Sequence, residues 1–255
     1  MGIQCAKCGN SPVDITYYKA RERKTDASVV IFPGGGYSIL AEHEGKDYAL
    51  FLNSVGMDAF VVNYRLKPDR FPLQLIDARR AIQYVRKYSH EYRLEPNKIA
   101  VMGSSAGGHL AALLSTYKKE IAALQRTDVD NEDYTPNAQI LCYPVICAPY
   151  DDVSNRTSYD NLLGKDLEKT MREVSPELIC DETAPQAFIW HTSDDETVNV
   201  INSYRYAEAL RKNGIPTEMH IYPHGKHGLG LSPENPHVSQ WKEALVSWLR
   251  YIDWL

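Results

Sequence analysis

Short, unbroken apolar runs alternate along this chain with longer amphipathic stretches. A strand that helices cover on both faces is apolar throughout, whereas a helix on a sheet repeats its apolar positions every three to four residues. Runs of the first kind predict buried strands at 28–32, 58–64, 97–102, 138–143, 186–191 and 216–222. Stretches of the second kind predict helices at 44–54, 71–88, 106–117, 200–213 and 238–254.

This alternation of strands and helices predicts an α/β fold. Repeated β-α-β units form a mostly parallel sheet with helices on both faces, and we expect residues 1–255 to form one such domain. Residues 13–20 alternate loosely and predict an edge strand. Residues 144–185 have prolines, paired acids and no clear period. Because long connections in compact domains are usually functional, this segment is predicted to be a cap or a substrate-side insertion.

The residues around Ser105 have the pattern of a nucleophilic serine. Residues 103–107 read Gly-Ser-Ser-Ala-Gly, after a predicted strand and at the start of a predicted helix. In such a turn the serine is held in a strained conformation above the sheet, and its neighbours must be small because strand and helix backbones nearly touch. Gly103 and Gly107 are small enough, and we therefore predict that Ser105 is the nucleophile.

A second glycine-rich turn follows the first buried strand. Residues 33–37 read Pro-Gly-Gly-Gly-Tyr. Successive glycines let backbone N–H groups point to one position without interference from a Cβ atom, as an oxyanion hole requires. A flexible loop is the alternative interpretation, and the serine turn favours the oxyanion hole.

Acidic residues and histidines follow the last two predicted strands. Residues 192–199 read Thr-Ser-Asp-Asp-Glu-Thr-Val-Asn, and residues 224–228 read His-Gly-Lys-His-Gly. Catalytic groups of α/β folds collect at the carboxyl ends of strands, where both loops begin. An imidazole can take the proton of a serine hydroxyl and return it to the leaving group, while a carboxylate fixes the imidazole tautomer.

Two candidates compete for each of these roles. Asp195 is favoured over Asp194 as the acid, since a valine follows it at the usual spacing. His227 is favoured over His224 as the base, since a small glycine follows it directly. Serine, acid and histidine then occur in the chain order of α/β-hydrolases.

Together these motifs resemble those of α/β-hydrolase esterases, and the match covers nearly the whole chain. Other matching pieces are Asn63-Tyr64-Arg65-Leu66, Phe71-Pro72 with Asp77, and Gly108-His109-Leu110-Ala111. Within that superfamily the chain is similar to small intracellular acetylesterases and xylan-esterase-like enzymes. The resemblance implies an α/β-hydrolase fold, no cofactor, a Ser105, Asp195 and His227 triad, and an oxyanion hole from Gly35, Gly36 and Ala106.

The chain departs from this family pattern at two positions. Pro33 stands where a histidine often precedes the glycines, and Asn199 stands where a proline is common after the acid. Pro33 keeps the backbone donors but removes a supporting hydrogen bond, so the pair of N–H groups that would bind the oxyanion stays open.

Composition narrows the classes of partner. The chain is 44% hydrophobic and 24% charged with a net charge of -5, which is ordinary for a globular protein and argues against nucleic acid. No apolar run approaches the roughly 20 residues that span a membrane, and the first residues lack the pattern of a signal peptide.

Five scattered cysteines favour reduced thiols, and we predict a cytoplasmic location. Cys5 and Cys8 have the spacing of half a zinc site, but no second pair follows, so no metal is predicted.

The leading functional hypothesis is a serine carboxylesterase that removes short acyl groups, in particular acetyl groups from sugars or oligosaccharides. An amide-cleaving enzyme with the same triad, such as an arylformamidase or a small peptidase, is the alternative. A binding protein of this fold usually lacks a triad residue, and none is missing here. The expected partner is a small ester substrate, and the oligomeric state is open, including a homo-oligomer.

Residues 144–185 and Tyr37 predict the size of the substrate. The segment is too short and too polar for the apolar lid of an enzyme that acts on long-chain lipid. Its polar side chains are suited to hydrogen-bonding a hydroxylated alcohol group: Tyr150, Asp151, Asp152, Tyr159 and Asp160. Tyr37 is predicted to contact the substrate, and short acyl chains should be preferred.

Overall fold

The apolar runs of the chain lie side by side in one central sheet. In the computed structural model, which describes residues 5–9, 11–121, 126–149, 152–164 and 170–255, the strands are β1 Cys5–Lys7, β2 Asp14–Tyr18, β3 Ser28–Phe32, β4 Asp58–Asn63, β5 Ile99–Ser104, β6 Ala138–Cys142, β7 Gln186–Thr192 and β8 Thr217–Tyr222. Their order in the sheet is β1-β2-β4-β3-β5-β6-β7-β8. The strands from β4 to β8 pair in parallel, while β1 and β2 pair antiparallel at one side.

Helices cover both faces of this sheet. They are α1 Lys46–Val55, α2 Leu73–Lys87, α3 Ser89–Tyr92, α4 Ser105–Thr116, α5 Arg156–Leu163, α6 Pro176–Ile179, α7 Ile201–Lys212 and α8 Trp241–Tyr251. α2, α4 and α7 pack on one face, in a buried cluster with Val30 and Phe32 of β3. α1 and α8 pack on the other face with Val29 and Ile31, because successive strand side chains point to opposite sides. This is the α/β-hydrolase fold that the sequence predicts.

The predicted elements are confirmed, with ends that differ by up to three residues. The last helix is shorter than expected, since residues 238–240 form a 3₁₀ turn before α8. The strand predicted at 13–20 is present as β2, but its predicted place at the edge of the sheet is wrong. β1 pairs with β2 on its outer side, so β2 is the second strand of the sheet. A three-residue strand is too short to leave a pattern in the sequence.

The segment 144–185 connects β6 to β7 and lies against the glycine-rich turn. It contains α5, a 3₁₀ turn at Met171–Val174 and α6. The Asn161 side-chain amide donates to the Gly36 carbonyl over 2.8 Å, and the Phe71 N–H donates to the Leu162 carbonyl over 2.9 Å. The described part of the segment therefore packs against the loops that follow β3 and β4.

Several polar residues of this segment lie differently from the prediction. Tyr159 is fully buried and its hydroxyl donates to the Ile146 carbonyl over 2.7 Å, so it does not face a substrate. Asp160 lies 3.8 Å from Arg156 on the exposed side of α5. Asp152 is exposed, whereas Tyr150 and Asp151 lie outside the described residues.

Candidate active site

Ser105 lies in the turn from β5 to α4, at the carboxyl end of the parallel strands. Its φ is 53°, in the left-handed region, where a non-glycine residue is strained by about 1–3 kcal/mol. A Cβ atom on Gly103 would lie 2.2 Å from the Gly107 carbonyl oxygen, and one on Gly107 would lie 2.0 Å from that of Phe32. Both glycines are therefore required by the close approach of strand and helix, as the sequence pattern predicts.

His227 lies between the serine and a carboxylate. Its Nε2 is 2.8 Å from the Ser105 Oγ, and its Nδ1 is 2.6 Å from the Asp195 Oδ2. The ring of Tyr143 packs against the imidazole at 5.0 Å with an interplanar angle of 70°. A proton on Nδ1 that is donated to Asp195 leaves Nε2 free to accept the proton of the serine hydroxyl.

Asp195 is buried and accepts hydrogen bonds on both carboxylate oxygens. Oδ1 accepts the N–H groups of Thr197 and Val198 over 2.8 and 2.9 Å. Oδ2 contacts His227 and, at 3.3 Å, the buried His191. Burial alone would raise the pKa of Asp195, but the hydrogen bonds from His191 and His227 outweigh it and hold the pKa well below its usual value. The carboxylate therefore stays ionised beside the imidazole.

The two competing candidates pair with each other instead. The Asp194 Oδ2 lies 2.9 Å from the Nδ1 of His224, and the side chains are 51% and 84% exposed. The Asp194 Oδ1 also accepts the Gly225 N–H over 2.7 Å. This exposed pair joins the acid loop to the histidine loop, and neither residue is bonded to Ser105.

The glycine-rich turn at 33–37 passes the serine at Gly34, where a Cβ atom would lie 3.1 Å from the Ser105 Cβ. Gly35 and Gly36 have φ values of 126° and 61°, which a residue with a Cβ atom rarely adopts. Within the described ranges, neither of their N–H groups has a hydrogen-bond partner. Ala106 belongs to the first turn of α4, whose N–H groups have no acceptor inside the helix. These are the groups that the sequence predicts as the oxyanion hole.

Tyr37 lies next to this turn but not in the predicted orientation. Its side chain is fully buried, and its hydroxyl is 2.6 Å from the Nδ1 of His109. The Nε2 of His109 lies 2.7 Å from the Val174 carbonyl oxygen. Tyr37 therefore cannot contact a substrate with its side chain. Through His109 it ties the glycine-rich turn and α4 to the segment 144–185.

Burial of His109 should make the stability of the fold depend on pH. Burial lowers the pKa of His109 to about 4 from an ordinary value of 6.5. The unfolded chain then binds the proton more readily than the folded chain. The free energy of unfolding is therefore unaffected by His109 at pH values above the unfolded pKa, and it decreases as the pH falls toward 4. The loss should total about 3 kcal/mol. Urea unfolding at a series of pH values should show a flatter pH dependence for His109→Gln than for the wild type, and equal slopes would contradict this.

Across the ranges that the structure covers, no three His, Cys, Asp or Glu side chains come together in a way that could hold a metal ion. Cys8 is not in a disulfide, and the side chain of Cys5 lies outside the described part of the structure. A helix long and apolar enough to cross a membrane is likewise not found in the described part of the chain.

Comparison with known proteins places the chain in a family. The sequence profile of the BD-FAE family matches residues 13–210, which include Ser105 and Asp195. The chain belongs to the BD-FAE family. This BD-FAE chain is 32% identical to an acetylxylan esterase of Xylanibacter ruminicola over 237 residues, which are 91% of this chain and 47% of that protein. It is also 32% identical to endo-1,4-beta-xylanase B of Butyrivibrio fibrisolvens over 239 residues, covering 89% of this chain and 36% of that protein.

A solved structure agrees with these sequence matches. The acetyl ester-xyloside bifunctional hydrolase from Caldicellulosiruptor lactoaceticus superimposes with a TM-score of 0.89 at 38% identity, over 95% of this chain and 89% of that one. By contrast, this BD-FAE chain spans less than half the length of the two curated relatives above.

Two buried residues of this BD-FAE site were not predicted from the sequence. His191 lies at the end of β7, with Nδ1 2.8 Å from the Ser203 Oγ and Nε2 2.9 Å from the Val198 carbonyl, and so it supports the acid loop. Glu44 accepts the N–H of Gly34 at the start of the glycine-rich turn. The position of His191 inside an apolar strand is a signal that the sequence does contain. For Glu44, by contrast, the neighbouring sequence does not distinguish it from an exposed glutamate in a helix.

Proposed function

We propose that this chain is a serine carboxylic-ester hydrolase that removes short acyl groups, in particular acetyl groups from sugars or oligosaccharides. The observation that carries the proposal is the continuous hydrogen-bonded path from the Ser105 Oγ through both nitrogens of His227 to Asp195. An imidazole held in this tautomer is the base that a serine hydroxyl needs at neutral pH.

The reaction proceeds through an acyl-enzyme. His227 takes the proton of Ser105 as the Oγ attacks the ester carbonyl, and the N–H groups of Gly35, Gly36 and Ala106 stabilise the oxyanion. His227 then gives the proton to the leaving alcohol. A water molecule, deprotonated by His227 in its turn, attacks the acyl group and releases Ser105 and the acid. The strained φ of Ser105 and the free N–H groups of the turn support these roles.

The choice of acetylated sugars rests on the relatives. The proteins described above are named an acetylxylan esterase, an endo-1,4-beta-xylanase and an acetyl ester-xyloside hydrolase. Nothing in the site favours amide cleavage over ester cleavage. The location proposed for the chain is the cytoplasm, where the free cysteines Cys142 and Cys147 would stay reduced.

The test is turnover of acetylated xylo-oligosaccharide beside N-formylkynurenine. Release of acetate from the oligosaccharide, with no hydrolysis of the formamide, is the expected result. If only the formamide is hydrolysed, the ester-hydrolase proposal is contradicted and the amide-cleaving alternative is supported. Ser105→Ala serves as the blank for both substrates.

Acyl-chain length should separate a short-acyl esterase from a lipase. The described part of the segment 144–185 turns its apolar side chains inward, and Leu178 is its one large apolar residue that is more than a third exposed. Each methylene that enters an apolar channel adds up to about 0.8 kcal/mol, and a closed pocket cannot use it. On p-nitrophenyl esters, kcat/KM should peak between acetyl and butyryl and collapse by octanoyl. A peak at octanoyl or longer would indicate an apolar channel.

A further inference from the structure

Glu44 is a buried carboxylate that the proposed reaction does not use. It ends the 3₁₀ turn Glu42–Glu44 before α1 and is 2% exposed. Within the described residues, the one basic group within 4 Å is the Nε2 of His43, at 3.8 Å from the Glu44 Oε1. A carboxylate that is withdrawn from water without an arginine or lysine depends on hydrogen bonds from its surroundings.

Two hydrogen bonds connect Glu44 to different loops of the site. Its Oε2 accepts the Gly34 N–H over 2.9 Å, and its Oε1 accepts the Tyr143 hydroxyl over 2.7 Å. The Tyr143 oxygen in turn accepts the Gly230 N–H over 2.9 Å. One carboxylate therefore holds the glycine-rich turn, the residue after β6 and, through Tyr143, the loop that carries His227.

Each of these contacts lies next to a group with a proposed role. Gly34 directly precedes Gly35, and the ring of Tyr143 packs on the imidazole of His227. A Cβ atom on Gly34 would lie 2.3 Å from the Glu44 Oε2 and 3.1 Å from the Ser105 Cβ, so the carboxylate and the nucleophile flank the same residue. His43 adds a contact from the same turn, because its Nε2 is 3.0 Å from the Gly228 carbonyl oxygen.

We infer that Glu44 is a positioning residue that sets the oxyanion donors and the His227 ring relative to Ser105. It fixes Gly34, so that the next two N–H groups turn toward the reacting carbonyl, and it fixes Tyr143, so that the imidazole stays in line with the serine. The inference rests on the proposed esterase function and assigns Glu44 no contact with the substrate.

Glu44→Gln tests this with little change of volume. The amide has one acceptor oxygen and one donor nitrogen, so it can accept from Gly34 or from Tyr143 but no longer from both. With p-nitrophenyl acetate, kcat should fall by about tenfold to a hundredfold while KM changes by less than about threefold, because misplaced oxyanion donors weaken the transition state more than the bound substrate. Glu42→Gln is the matched control, since that side chain is 85% exposed in the same turn, and it should keep wild-type kcat.

Counting reactive serines separates positioning from loss of folded protein. A p-nitrophenyl phosphonate releases one p-nitrophenolate for each Ser105 that it phosphonylates. Glu44→Gln should release the same total amount as the wild type, at a rate that is lower by about tenfold or more. A lower total with an unchanged rate would mean that the variant only unfolds a fraction of the protein, and would overturn the inference.

Tyr143→Phe keeps the test decisive if Glu44→Gln does not fold. It leaves the carboxylate and the ring packing in place and removes the hydroxyl that links them to Gly230. It should also lower kcat by about tenfold, and the double variant should lose less than the product of the two single losses. If Tyr143→Phe keeps wild-type kcat, Glu44 does not act through the histidine loop and the inference fails.

Failure of the proposed function gives a different result. A wild-type chain that hydrolyses no ester contradicts the esterase reaction. The phosphonylation rates of the wild type, Glu44→Gln and Glu42→Gln would still be comparable in that case, because they need only Ser105, His227 and the oxyanion donors. Equal rates in all three would overturn the positioning role by itself.

Discussion

Replacing Ser105 with alanine should lower kcat/KM for p-nitrophenyl acetate by about a thousandfold or more while leaving the fold intact. The hydroxyl is the only group of Ser105 that reaches His227, at 2.8 Å from Nε2. Its removal leaves the oxyanion donors and the bound substrate, but water must then attack the ester without a covalent intermediate. Alanine also fits the turn, since the site already accommodates a Cβ atom at this φ.

Ser115→Ala is the matched control for this experiment. Ser115 lies in the same helix, α4, and its hydroxyl donates to the Ala111 carbonyl over 2.8 Å, away from the triad. Thermal unfolding and circular dichroism should show both variants folded, with activity retained only in Ser115→Ala. Activity of a folded Ser105→Ala within tenfold of the wild type would contradict the assignment of the nucleophile.

Asp195→Asn should lower kcat by about ten-thousandfold, and Asp194→Asn by less than about threefold. The Asp195 Oδ1 accepts two backbone N–H groups, so an asparagine would place its oxygen there and its amide nitrogen toward His227. The Nδ1 of His227 would then have to accept a hydrogen bond, and the proton would move to Nε2. An imidazole in that tautomer cannot take the proton of Ser105.

The Asp194 variant is the internal control for that result. Asp194 is half-exposed and bonds to the exposed His224 and to the Gly225 N–H, so its replacement disturbs only the surface of the two loops. Rates of both variants with p-nitrophenyl acetate, measured on protein whose folding has been checked, give the comparison directly. The opposite ranking would assign the acid to Asp194.

Sequence alone determined those features of this protein that depend on neighbouring residues. The apolar run 28–32 is β3 with the same bounds, because a strand covered on both faces must be apolar at every position. The need for glycine on both sides of Ser105 is equally predictable from the sequence, since only small residues allow β5 and α4 to approach so closely. The same local motifs predict a triad in the chain order serine, acid, histidine.

Only the tertiary structure decided which side chains face each other across the chain. Asp194 and Asp195 are adjacent in sequence, yet the loop after β7 buries Asp195 against His227 and leaves Asp194 in solvent. The sequence predicts Tyr37 at the substrate, but its side chain packs inward on His109, which is 72 residues away. Glu44 lies 99 residues from Tyr143, and nothing local in the sequence marks that contact. Periodicity and motif spacing describe one segment at a time, whereas these orientations depend on how distant loops pack at one edge of the sheet.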